Sequence, residues 1–223
     1  MIPSLKTVRN FLPEFLARLT LRRDSGAIDS SESLRRFVST RAAFIAQKTL
    51  YGYVKTRMGT RYPSMFEDDT IIASINIAKM HVYEACLSDL SIFAASRALR
   101  SGGIDDALRR DLAVACYRQG LQDNAEQAAG AETFDPGAAE KAFERRLAFW
   151  DWQEGPAGVD IFTASPAALF RWAPIAPELK KFDQEIVENS IRYAWRDVRV
   201  QLEKRIDSAA LTADADHRAK KTA

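Results

Sequence analysis

His81 and His217 are the only histidines in the chain, so any imidazole chemistry falls to one of them. His217 lies in a terminal run rich in Ala, Asp and Lys. His81 lies inside the stretch 64–99, where a narrow polar stripe survives among apolar neighbours: Ser74, His81, Glu84, Ser88 and Ser91. Ser88 shares the face of His81 but sits seven residues on, about 10.5 Å of helical rise. A nucleophile and its base need roughly 2.6–3.2 Å. Cys86 points elsewhere. His81 and Glu84 have the three-residue spacing of helical metal ligands. A di-iron bundle needs a second such histidine and further glutamates, so no metal is assigned. The chain has no Gly-rich phosphate loop and no G-x-S-x-G elbow, and no cofactor is called for.

A basic stripe precedes this polar one. Arg41, Lys48 and Lys55 recur every seven residues. If the two stripes face each other, Arg41, Lys48, Tyr51, His81 and Glu84 form a candidate ligand site, a cleft with cationic walls suited to a carboxylate or phosphate. The competing reading is a solvated edge with a few ion pairs, each worth about 0–1 kcal/mol.

Two long helices must position these residues. The first is expected over 32–58, with Asp29 and Glu32 spaced as a capping box. Gly52 interrupts it at about 1 kcal/mol, which a close helix crossing explains. The second is expected over 66–100. Ser64 and Glu67 read as its capping box, acidic residues fill its first turn, Arg97 and Arg100 its last, and Gly102-Gly103 stops it. Its apolar residues fall almost all round, as in a helix buried on most sides. A turn with Gly59 and Pro63 joins the two, with Ala43, Leu50 and Val54 among the buried positions of the first.

Helical patterns continue over 104–129, from Asp135-Pro136 to about 155, from Ser165-Pro166 through Trp172, and over 177–207. In the last of these Phe182, Ile186, Tyr193, Trp195, Val198, Leu202 and Ile206 give a broad apolar face. Aromatics gather around a proline-rich segment: Phe149, Trp150, Trp152, Phe162, Phe170, Trp172 and Phe182. They read as a core for an irregular stretch, or as the lining of a pocket or groove. The run 158–163 is the only β-like segment. The fold expected is all-α: a single bundle-like domain of six or seven helices over 31–207, built on a long helical hairpin. Residues 208–223 read as a disordered tail.

Residues 1–23 are amphipathic. Leu5, Val8, Leu12, Phe15, Leu16 and Leu19 share one face, five cations oppose one acid, and Pro13 kinks or splits the helix. Such a segment docks on the protein's own core or lies on an anionic membrane. The net charge of +2 gives no drive toward nucleic acid, and in the last long helix basic and acidic residues alternate rather than forming a phosphate track. Two cysteines inside helical patterns fit buried thiols in a reducing compartment. No uncharged apolar run approaches the roughly 18 residues of a membrane span, and no secretory signal is legible. The function expected is that of a cytoplasmic interaction protein, a scaffold, assembly or regulatory factor. It takes a protein partner and no nucleic acid, with peripheral contact at the inner membrane face as one of the two fates open to residues 1–23. The alternative is an enzyme or small-molecule binder with its site between the hairpin helices of 32–101.

Overall fold

Helix caps set the outline of the chain. The computed structural model describes residues 26–62, 67–99, 105–152 and 161–214. Among these, α1 is Ser31–Met58, α2 Asp69–Ala98, α3 Asp106–Asp123, α4 Ala125–Ala129, α5 Pro136–Ala148, α6 Ala164–Trp172, α7 Pro177–Lys180 and α8 Gln184–Arg205. A last helix, α9, spans 208–214. The described residues hold no strand, only the isolated parallel bridge of Ile28 with Ile206. The expected all-α bundle on a long hairpin is what forms. The expected residues 1–23 and 215–223 lie outside the described ones.

Both hairpin caps fall at different residues from those expected. Ser30 and Ser33 form the box of α1: the Ser33 amide donates to Ser30 Oγ at 3.3 Å and the Ser30 amide to Ser33 Oγ at 3.1 Å. A serine pair does this as well as the expected Asp29–Glu32 pair. Asp68 caps α2, accepting from the amides of Thr70 and Ile71. An aspartate directly before the helix satisfies two first-turn amides alone; Ser64 of the expected Ser64–Glu67 box lies outside the described residues.

α2 is the central element. Every residue from Ala85 to Ala95 is buried, with α1, α3 and α6 packed around it. On α1, Leu50 and Val54 are buried, whereas Ala43 is only half-buried. Gly52 has open space where a side chain would start, so the expected crossing is not there. Gly120 of α3 is the crossing glycine instead: a Cβ on it would lie 2.5 Å from Leu87 and 2.9 Å from the Tyr83 hydroxyl. Two opposite results are expected from unfolding titrations. Gly52→Ala should stabilise by about 1 kcal/mol, since Gly loses more backbone entropy than Ala in a helix. Gly120→Ala should destabilise by about 1–3 kcal/mol through overpacking. Equal effects at the two sites would contradict this packing.

Two expected helices are each broken in two. Over 104–129 the break is Asn124, whose Nδ2 donates to the Tyr83 hydroxyl at 2.8 Å and to the Gly120 carbonyl at 3.1 Å. Over 177–207 the break is Asp183, drawn to α1 by the Tyr53 hydroxyl at 2.6 Å and by both Nε and Nη2 of Arg57. The third pattern begins as expected, with Asp135 capping and Pro136 first. It stops at Ala148 rather than near 155. Ile161–Thr163 is a turn, not a strand.

The tail reading is corrected for 208–214. Leu211 is buried, and Asp214 accepts from the Ser31 amide at 2.9 Å and its hydroxyl at 2.6 Å. These contacts outweigh a polar composition. Beside them, the Ile28 amide donates to the Arg205 carbonyl and the Asp207 amide to the Ile28 carbonyl, so the two ends of the described chain are clipped together.

Candidate functional site

The hairpin carries the five candidate residues, and the structure sends them in different directions. Arg41 is buried; its Nε donates to Gln201 of α8 at 3.0 Å and its guanidinium covers the Phe37 ring. Lys48 is exposed over the Phe44 ring. Tyr51 is half-buried against the core. Glu84 accepts from the Tyr117 hydroxyl of α3 at 2.6 Å. His81 stacks on Trp172 of α6, ring centroids 3.6 Å apart and nearly coplanar, with Phe134 edge-on at 5.4 Å. His81 and Glu84 stay neighbours on α2; Gln201, to which Arg41 donates, and Tyr117, which donates to Glu84, lie on separate helices.

The electrostatics follow from that burial. Glu84 is raised above the ordinary carboxylate range by desolvation, which the Tyr117 hydrogen bond opposes. Tyr117 is itself raised by burial and then by Glu84. Burial lifts the Cys86 thiol well above its usual value and the Cys116 thiol to about 12, so neither presents a thiolate at neutral pH. The polar stripe grows more buried along α2: Ser74, His81 and Glu84 are half-buried, Ser88 and Ser91 fully so. Glu84 and Ser88 make interhelical hydrogen bonds there, with Tyr117 and Arg146, whereas Ser74 bonds its own helix and Ser91 Oγ is buried without a partner.

Desolvation, and then the Arg171 charge, hold His81 below 6.5. Its Nε2 is buried without a hydrogen-bond partner. The folded state therefore prefers the neutral ring, and as pH falls the unfolded chain takes up the proton first. The stability this contributes is fully present above about 6.5 and is lost as pH falls below it. His81→Phe fills the same stack and removes that proton. The variant's Tm should hold between pH 7 and pH 5 better than that of the parent, and parallel profiles would contradict this assignment.

Sequence reading passed over the strongest polar cluster. Asp89 of α2 is fully buried. It pairs with Arg146 of α5 at 2.8 Å and accepts from the amides of Ala164 and Ser165, the first two of α6. Thr163 at the head of α6 makes no side-chain cap, so a carboxylate from another helix takes that role. Arg146 also donates to Ser88 Oγ and to the Ile161 carbonyl, and Trp195 Nε1 donates to Ser165 Oγ at 3.0 Å. The only sequence signal was an aspartate inside the most apolar stretch of the chain. The cluster holds α2, α5, α6 and α8 together from a position without solvent at Asp89, which is architecture rather than chemistry.

The surface holds two further features. An open groove of about 340 Å³ lies between α1 and α3, with Arg35, Asp111, Arg118 and Gln122 on its walls. None of the five candidates lines it, and Arg118 is paired with Glu140 and Glu144. The second is apolar. Phe182, Ile186 and Tyr193, expected in the core face of the last long helix, are 83%, 71% and 70% exposed, and Leu179 of α7 is 60% exposed. The face α8 buries is Val187, Ile191, Ala194, Trp195, Val198 and Leu202. Phe149 is likewise exposed rather than core.

Among the described residues no group of His, Cys, Asp and Glu is arranged to hold a metal, and no helix is long and apolar enough to cross a membrane. No family model, no curated protein and no solved structure matches the chain. Fold and site together define an all-α helical bundle.

Proposed function

We propose that this chain is an interaction protein, a helical scaffold, assembly or regulatory factor, whose contact face is the outer side of α7 and α8. One observation carries the reading: Ile186 and Tyr193 stand out on one face of α8, with exposed Leu179 and Phe182 just before it in the chain, while the opposite face of α8 is packed. Large apolar side chains exposed together on a surface mark sites of macromolecular contact. The face is also held in place. Asp183 is tied to α1, and Lys180 Nζ donates to the carbonyls of Phe170, Arg171 and Ala173 at the end of α6. The enzyme or small-molecule reading needs Arg41 and Glu84 turned toward one cavity, and each has a partner on a different helix.

The reading includes a cytoplasmic setting, supported by two buried free thiols. It also includes peripheral contact with anionic lipid through residues 1–23, supported by their cationic amphipathic sequence. Sedimentation of native cell extract tests the protein-contact reading. The chain should travel above its 25.0 kDa monomer position, and Ile186→Asp with Tyr193→Asp should return it there while leaving it folded. Identical migration of parent and variant would overturn it.

A further inference from the structure

On α8, Ile186, Tyr193 and Val200 follow one another at steps of seven, and all three are exposed; exposed Leu179 precedes them on α7. From Ile186 to Val200 the row covers about 21 Å of helix. An apolar residue at every seventh position lays one row along the outer helix face, half of the a/d pattern by which helices pair. We infer that this seam is filled by a second copy of the same chain, its α8 antiparallel to the first about a two-fold axis near Tyr193. This rests on the interaction reading and names its partner.

Charge selects the occupant. The first part of α8, residues 184–191, carries Glu185 and Glu188 and no base. The remainder carries Arg192, Arg196, Arg199, Lys204 and Arg205 against Asp197 and Glu203. An antiparallel copy sets each acidic half against a basic half and opposes the helix dipoles. A parallel copy sets like against like. Arg192, nearest the axis, pairs with Glu188 of its own helix at 2.9 Å, and Arg199 and Arg205 lie over the Phe162 and Phe37 rings, so the charges that meet across the pair are Glu185 of one copy and the exposed Arg196 and Lys204 of the other. The arrangement brings Ile186 of each copy opposite Val200 of the other, and the patch is used up in a closed pair.

Residues 1–23 are the rival occupant, with Leu5, Leu12 and Leu19 at the same spacing. Gly26 and Ile28 fix where that segment joins the fold, beside Arg205 and Ile206. Lying along α8 from that end would set Arg18, Arg22 and Arg23 against its basic half. The second copy avoids this repulsion.

A seam this short is at or below standard interface size, so the dimer should be concentration-dependent. The purified full chain should rise by light scattering from 25.0 kDa toward twice that value between about 1 and 100 µM. Ile186→Asp with Tyr193→Asp should weaken association at least ~10-fold. Cross-linking tests the direction. Cys86 and Cys116 are buried, so under mild oxidation Tyr193→Cys should give a covalent dimer. Val200→Cys should not, but should cross-link when mixed with Ile186→Cys. Equal self-linking at 186, 193 and 200 would mean a parallel seam and overturn the proposal, as would a dimer untouched by the aspartates. A monomer at every concentration also overturns it. If the extract complex still depends on this face in that case, the interaction reading survives with another protein as occupant. Dimer appearing only with Leu12→Asp and Leu19→Asp would give the face to residues 1–23. A monomer bound through Ile186 and Tyr193 to vesicles containing phosphatidylserine would give it to lipid.

Discussion

Asp89→Ala should cost about 3–5 kcal/mol in denaturant unfolding, the range for breaking a buried ion pair by removing one partner. The carboxylate is fully buried and does two tasks: it pairs with Arg146 and it satisfies the first amides of α6. Removing it strands all three groups. The Arg146 side chain is 21% exposed and can recover some hydration, which favours the lower end of the range. The uncapped helix adds to the loss. Asp89→Leu with Arg146→Met should cost less than Asp89→Ala alone, because no charge is left unpaired. A loss below about 1 kcal/mol for Asp89→Ala would show that the cluster does not hold α6 to α2.

Leu87→Ala and Leu90→Ala should each cost about 2–5 kcal/mol, the sum of lost transfer free energy and a cavity that closes only in part. Both side chains are fully buried on α2. Leu87 is the tighter of the two, since both of its terminal methyls lie against Gly120. Its cavity forms where α3 crosses closest, and the Tyr83 hydroxyl that donates to the Gly120 carbonyl at 2.8 Å limits collapse. Leu87→Ala should therefore fall toward the upper end. Losses under about 0.5 kcal/mol at both would reject a buried central helix.

What the sequence displayed well was local. Asp135-Pro136 marked a helix start because cap and first-turn proline are neighbours in the chain. The near-continuous apolar character of α2 announced its burial because few solvent-facing positions remained. What it displayed poorly depended on distant partners. Asp89 and Arg146 are 57 positions apart, and nothing local distinguishes Asp89 from a solvated aspartate. Gly52 and Gly120 look alike in sequence, and only the path of α3 over Leu87 tells them apart. On α8, two apolar rows run along opposite faces. Phe182, Ile186 and Tyr193 keep helical spacing among themselves as well as Val187, Ile191 and Val198 do, and periodicity alone does not say which row the bundle takes. The five candidate residues were legible as stripes, but a stripe does not reveal which helix each residue meets.

The central claim is that contact occurs on the outer face of α8 and not in the hairpin seam. Photo-cross-linking in the living cell reads it directly. A light-activated side chain placed at Tyr193 should give a discrete protein adduct, at the mass of two chains if the second copy is the occupant. The same group at Lys48, exposed on α1 in the expected seam, should give none. An adduct at 48 with none at 193 or 186 would contradict the account.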